Sequence, residues 1–292
     1  APPDIASLTS FGFLTLPNYS MIAASSAIEA CRIANYVAGG DIYRWQVLSL
    51  SGEPVEASNG LSLARTGALS GPFRPDILFV CGGVDIRSSV DRRTLEELRR
   101  KPVTTMPVTL SNESCRTSEC ALGNLMAEAM LAAVPKADAA ITNGGGMRTG
   151  LVEGTVTMGD ILAMLPFDNT LATATLKGAD IKAALENGLS RAPESIGRFP
   201  QVAGMRVVWN IQRPPGDRIV SLEIGGKPYD PEKVYRIVTN NFMRQGGDGY
   251  DSFRDKALDH YDNGAPLEDS LIDYLSAGKP LPGIDGRLAR GT

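Results

Sequence analysis

Three short apolar runs that end at glycines limit the folds open to this chain. Asp76-Ile77-Leu78-Phe79-Val80-Cys81 runs into Gly82-Gly83, and Asp138-Ala139-Ala140-Ile141-Thr142 runs into Asn143-Gly144-Gly145-Gly146. The third, Tyr235 to Asn240, leads to Gly246-Gly247-Asp248-Gly249. Runs of this length suit strands, and a nearly continuous apolar one such as 76–81 suits a central strand of a parallel sheet. Glycines just beyond a strand permit turns and close backbone approach that other residues resist. In open α/β folds, ligands bind at such strand ends. The expected class is therefore α/β.

The remaining periodicities fill in that frame. Phe11 to Leu16 and Trp45 to Leu50 read as strands, and Val55 to Ala64 reads as a hairpin around Asn59-Gly60. Ser20 can cap a helix with apolar positions at Ile22, Ala23, Ala27, Ala30 and Ile33, ended by Gly39-Gly40. A charged helix from Asp91 to Arg100 is closed by Pro102. Between 119 and 134, Leu122, Leu125, Met126, Ala129, Met130 and Ala133 follow helical spacing. Thr157 and Asp160 form a capping pair for a helix ending at Leu165-Pro166. A helix over Leu176–Leu189 and strands over Met205–Trp209, Ile219–Ile224 and Tyr235–Asn240 complete the reading. There is no internal repeat and no low-complexity tract.

Composition divides the chain. Its 292 residues suit two domains or one large one with ample core. Residues 1–100 contain no lysine, whereas all eight lysines follow from Lys101 onward, which places a boundary between 1–100 and 101–292. A net charge of −4 gives no basic footprint for nucleic acid. No apolar run approaches the ~20 residues that span a bilayer, so no membrane partner is expected. The opening Ala1-Pro2-Pro3-Asp4 has neither a basic nor an apolar leader segment, although a leader already removed would look the same. Of the four cysteines, Cys31 and Cys81 lie in apolar stretches and read as buried small hydrophobes. Cys115 and Cys120 bracket Arg116 closely enough for a local disulfide in an oxidising compartment, and the residues alone leave them free or bridged.

The residues around the two later glycine runs offer binding chemistry. Asn143 and Arg148 flank one run, and its N–H groups could face an anion. Phe242 and Asp248 belong to the other. A guanidinium suits phosphate, an aromatic face suits a base and a carboxylate suits a ribose diol. Each also has a plainer reading: both runs as structural turns with Asp248 bonding its own backbone, Phe167 and Phe242 as core, Arg116 as a surface arginine. His260 is the only histidine and has no second His, Cys pair or carboxylate cluster at ligand spacing, so it reads as a satisfied or solvent-facing side chain. A histidine-dependent triad has weak support, and there is no GxxxxGK[ST] run.

Five motifs in order over about 101–292 resemble the C-terminal domain of the 5′-nucleotidase family, enzymes that hydrolyse nucleoside monophosphates. They are Ser114 to Met130, containing Cys115-Arg116 and Gly123-Asn124-Leu125; Asn143 to Arg148; Leu165-Pro166-Phe167-Asp168-Asn169; Gly197 to Gly204; and Asn241 to Tyr250. The resemblance implies a mixed α/β nucleotide-binding domain in which Phe167 and Phe242 stack on the two faces of the base. It implies that Asp248 holds the ribose hydroxyls and that Arg116, Arg148 and Asn143 reach the phosphate side. It also implies a Cys115–Cys120 bridge and a nucleoside or nucleoside monophosphate as ligand. The family's divalent metals lie in an N-terminal metallophosphoesterase domain whose Asp, His and Asn ligands have no match here. With one histidine, such a two-metal centre is not expected in this chain. No catalytic residue, metal ligand or cofactor is therefore assigned.

Residues 7–100 resemble instead the first half of a PfpI-like, glutamine-amidotransferase-like domain, of the kind that begins AraC-type transcriptional regulators. The matching residues are Phe13 to Ser20, Ala27 to Asn35, Tyr43-Arg44-Trp45, Ala57 to Gly60 and Asp76 to Gly83. Glu29 matches a pocket glutamate of that superfamily, left without a partner because the nucleophile elbow does not follow. The resemblance implies an incomplete doubly wound sheet with an open edge and an uncovered apolar face, a route to an oligomer. It leaves open whether 1–100 packs on the rest, exchanges with a second chain or marks a composite, chimeric chain. Three functions follow from the two resemblances: nucleotide binding by a specificity domain, ligand sensing for a regulator, and hydrolysis as an active 5′-nucleotidase. The C-terminal resemblance implies a periplasmic or extracellular location, the N-terminal one a cytoplasmic location.

Overall fold

A computed structural model describes residues 9–64, 66–83, 92–194 and 196–291. The chain divides into two compact units, one of Pro3–Lys101 and one that takes in Pro102–Thr292. The opening Ala1 to Asp4 and the helix start at Asp91 lie outside the described residues. Among the described residues, no helix is long and apolar enough to cross a membrane.

The unit up to Lys101 is built on a four-stranded sheet in the order Thr66–Ala68, Arg44–Ser49, Ser10–Thr15, Ile77–Cys81. All its pairings are parallel. Ser20 accepts the Ala23 N–H and starts the helix Met21–Ala38, which ends on Gly39. A second helix covers Arg92–Arg99. Asp76 ties two strands together by accepting the backbone N–H and hydroxyl of Ser10, both at 2.8 Å. Those bonds to Ser10 hold the Asp76 carboxyl below its usual range.

Four expectations for this unit are corrected. The run 77–81 is an edge strand rather than a central one, paired on one side with 10–15, and Phe79 and Val80 are exposed. The helix turns Ala24 inward and Ile22, Ala23, Ala30 and Ile33 outward, because alanines surround it and blur the stripe. The 55–64 hairpin reduces to a turn with one antiparallel bridge, Glu56 to Ser62, since Ala57 also bridges to Tyr19. Cys31 and Cys81 are only half-buried, although partial burial still pushes both thiols up. Glu29 is exposed and ion-paired with Arg32.

The unit Pro102–Thr292 is mixed α/β. Its five-stranded sheet runs in the order Asp259–Tyr261, Leu171–Lys177, Val234–Asn240, Ala139–Asn143, Pro200–Ala203. The strand 234–240 pairs parallel with 139–143 and antiparallel with 171–177. Alternate side chains enter two cores. Ala140 and Val238 pack with helices Ala121–Ala133 and Leu267–Ser276. Ile141 and Ile237 pack with helix Gly178–Leu189, Trp209 and Phe253. A second sheet, Lys227–Pro228, Ile219–Ile224, Met205–Trp209, Leu288–Arg290, and a ribbon of Pro102–Met106 with Gly154–Thr157 complete the unit.

The capping pair is present as a reciprocal box, Thr157 and Asp160, at the start of helix Met158–Met164. The helix expected over 176–189 starts two residues later, after the strand 171–177. Leu171-Ala-Thr-Ala-Thr-Leu176 has the alternation of a strand, and seven successive pairings with 234–240 decide its form. Pro102 opens a strand of its own.

Candidate functional site

Parallel pairing of 139–143 with 234–240 brings both strand ends to the same side. Asn240 and Asn143 are buried there and joined: the Asn240 amide donates to Asn143 Oδ1 at 3.1 Å. Asn143 Nδ2 donates in turn to Asp248 Oδ2 at 2.7 Å. The carboxylate thus bonds a side chain 105 residues away rather than its own backbone. Asn143 thus stands beside Asp248.

The first glycine run serves packing more than anion capture. Gly144 and Gly145 donate their N–H groups to the carbonyls of Phe199 and Gly197, each at 2.8 Å, so neither is free for a ligand. Gly144 lies on the Cys115 carbonyl, where an added Cβ would sit 1.9 Å from that oxygen. The run is glycine because two backbones meet there.

The second run shapes the opposite part of the site. Asn240 Oδ1 accepts the Met243 N–H at 2.8 Å and caps the turn Asn241–Arg244 that carries Phe242. The Phe242 ring covers Gly247, where a Cβ would lie 2.5 Å from the ring tip. Asp248 has φ 57° and ψ 19°, left-handed backbone, and Asn187 Nδ2 holds its carbonyl at 3.1 Å. Behind it, Tyr250 donates to the Arg198 carbonyl at 2.7 Å, and complete burial drives its phenol far above the usual range.

Arg116 ends a short turn, Glu113–Arg116, inside a loop closed by the Cys115–Cys120 disulfide. Fully buried Gln201 fixes that loop. Its amide donates to the carbonyls of Cys115 and Ser118 at 2.9 and 2.8 Å, and its oxygen accepts the Cys120 N–H at 3.2 Å. Phe167 follows helix 158–164, 52% exposed, with the Arg148 guanidinium 5.8 Å from its ring centroid.

Arg116, Asn143, Arg148, Phe167, Phe242 and Asp248 all line one cavity of about 400 Å³, joined by Asn169, Gly197 and two glycines of the first run. Sequence reasoning had not singled out Asn169, Gly197 or Gln201, although all three stand inside the quoted motifs. Among the described residues, neither Arg116 nor Arg148 has a carboxylate partner. The cavity therefore offers two uncommitted cations, one carboxylate and two large aromatic surfaces. His260 is outside it, exposed on the edge strand 259–261. Among the described residues, no group of three His, Cys, Asp or Glu side chains could hold a metal ion. The donor set of a divalent metal centre is thus not found in them.

The family description "5′-nucleotidase, C-terminal domain" matches residues 102–255. The trifunctional nucleotide phosphoesterase protein YfkN of Bacillus subtilis (strain 168) is 40% identical over 209 residues, covering 68% of this chain and 14% of that protein. The 5′-nucleotidase of Homo sapiens is 35% identical over 203 residues, covering 62% of this chain and 35% of its own length. The chain thus spans well under half of these relatives. The crystal structure of a 5′-nucleotidase precursor from Thermus thermophilus superposes with TM-score 0.65 at 24% identity, over 91% of this chain and 67% of that one, a likeness of fold. Through residues 102–255, more than half its length, this chain belongs to the 5′-nucleotidase C-terminal domain family.

Proposed function

We infer that the unit 102–292 binds a nucleoside or nucleoside monophosphate and serves as the substrate-recognition part of a 5′-nucleotidase-type phosphohydrolase. The carrying observation is one cavity in which half-exposed Phe167 and Phe242 join Asp248 and two unpaired arginines. Two half-exposed aromatic rings lining one cavity offer a flat base surfaces to stack on. In this reading Phe167 and Phe242 take the base, Asp248 takes the ribose diol and Arg116 and Arg148 take the phosphate. Asn143 orients Asp248 through its 2.7 Å bond as well as facing the cavity. The names of YfkN and the human relative, which concern nucleotide esters, agree with it. The Cys115–Cys120 disulfide favours an oxidising compartment such as the periplasm or cell exterior. The regulator alternative rests on the motifs of residues 7–100 alone.

Isothermal titration of adenosine and AMP into the full chain tests the reading. Millimolar or tighter binding is expected, stronger for AMP than for adenosine, and weakened by Phe242→Ala by roughly 1–3 kcal/mol, the usual worth of an aromatic–base stack. No heat from either ligand, or equal binding by Phe242→Ala, would falsify it.

A further inference from the structure

Asp248 is carried by a segment with little stiffness of its own. It lies in left-handed backbone, φ 57°, between Gly246 at φ 90° and Gly249 at φ 79°. A residue with a Cβ keeps that conformation only where its surroundings over-determine it. Two backbone bonds supply part of this. The Gly249 N–H donates to the Gly246 carbonyl at 3.1 Å, and the Tyr250 N–H to the Gly247 carbonyl at 3.2 Å. Bonds inside the turn fix its shape but not its place in the molecule.

The place is fixed from outside. Asn187, half-buried in the last turn of helix Gly178–Leu189, donates Nδ2 to the Asp248 carbonyl at 3.1 Å. Its own Oδ1 accepts Arg198 Nη1 at 3.1 Å, and the Arg198 carbonyl accepts the Tyr250 hydroxyl at 2.7 Å. Three bonds thus close a ring through 187, 198 and 248–250. The Asn187 side chain also lies on Gly249, where a Cβ would sit 2.9 Å from Oδ1.

We propose that Asn187 is a positioning residue for recognition of the vicinal diol of the ligand, acting through the Asp248 peptide. This rests on the reading that Asp248 takes the ribose diol. Asn187 is not among the residues that line the cavity, whereas Asp248 is. Two amides therefore hold opposite ends of one residue: Asn143 bonds the carboxylate at 2.7 Å and Asn187 bonds the carbonyl. Hydrogen bonds weaken steeply when donor and acceptor are misaligned. Stacking on a ring and attraction to a guanidinium tolerate more displacement. Release of the Asp248 peptide should therefore cost the diol contacts first.

Isothermal titration of AMP and of 2′,3′-dideoxy-AMP into the unaltered chain and two variants tests this. Asn187→Leu removes both amide bonds without adding charge. Asn187→Asp keeps the shape and the acceptor for Arg198 but has no N–H for the Asp248 carbonyl. The unaltered chain should prefer AMP about tenfold or more, as hydrogen bonds to a charged group do. Each variant should weaken AMP about fivefold, the usual worth of one hydrogen bond, and leave the dideoxy analogue unchanged. Preference retained in both variants would overturn the proposal. So would equal weakening of the two ligands, the mark of a merely structural asparagine. No preference in the unaltered chain would instead overturn the diol reading of Asp248, and the proposal with it. Circular dichroism checks folding, and if the leucine variant melts early the near-isosteric aspartate decides.

Discussion

The two units make cores of different depth from strands of similar length. In Pro102–Thr292 the central sheet is covered on both faces, and Trp209, Tyr250 and Phe253 are fully buried. In the unit up to Lys101 the buried clusters are small, Leu14, Leu16 and Leu48 in one and Tyr19, Ala24 and Ala57 in the other. Apolar Phe79, Val80, Ile22 and Tyr36 stay outside. Strand propensity made both sheets, but only the second found enough covering elements to dry both faces. Burial is set by what packs on a strand more than by the strand's own residues.

Truncating one buried side chain in each unit would sharpen that contrast. Trp209→Ala should cost about 3–5 kcal/mol, because the indole packs against Phe199 in a core with little room to collapse. Leu48→Ala should cost about 2 kcal/mol, the low end for its class, since few buried neighbours surround it. Guanidinium unfolding followed by fluorescence and circular dichroism reads both, and equal losses would break the comparison. Removing the Cys115–Cys120 bridge with paired serines comes next, at about 2 kcal/mol for so short a loop. It should also weaken AMP binding, because Arg116 lies within that loop. Gly247→Ala should leave stability nearly unchanged yet lower AMP affinity about tenfold, since the new methyl displaces the Phe242 ring. Titration calorimetry separates the two effects.

The smallest expected effect concerns pH, where the units differ in sign. The Asp76 carboxyl is held low by Ser10, so its contribution is present above the ordinary carboxylate range and lost as pH falls through the lowered value. Burial raises the Glu268 carboxyl, so its contribution is full below the ordinary glutamate value and lost as pH rises through the raised one. Asp76→Asn should flatten the acid limb of the stability curve, and Glu268→Gln should flatten the opposite slope. Thermal melts from strongly acidic pH, below the ordinary carboxylate range, up to neutral pH would show whether the slopes have these signs.

The comparison also explains what was legible from sequence. Continuous runs such as 77–81 and 139–143 announced strands, but not whether a strand lay at the edge or the centre, which depends on partners far along the chain. Leu171-Ala-Thr-Ala-Thr-Leu176 alternates as a strand does, but where that strand ends and the next helix begins was set by its pairing with 234–240. The residues around the cavity could be named because they stand in motifs that resemble those of a known family. Their bonds could not: Asn143 meets Asp248 across 105 positions, and Gln201 meets Cys115 across 86. The free N–H groups expected of Gly144 and Gly145 were spent on neighbours that no local pattern reveals.

That last feature reaches beyond packing. With those amides committed, an anion in the cavity would be held by Arg116 and Arg148, side chains on flexible stems, rather than by a rigid backbone cradle. Arg148 is exposed to solvent. Attraction of that kind is shielded by dissolved ions over roughly 8–10 Å at ordinary salt. Ionic strength would then act as a dial on affinity for charged ligands, while uncharged nucleosides, gripped by the aromatic rings and Asp248, would be largely indifferent to it.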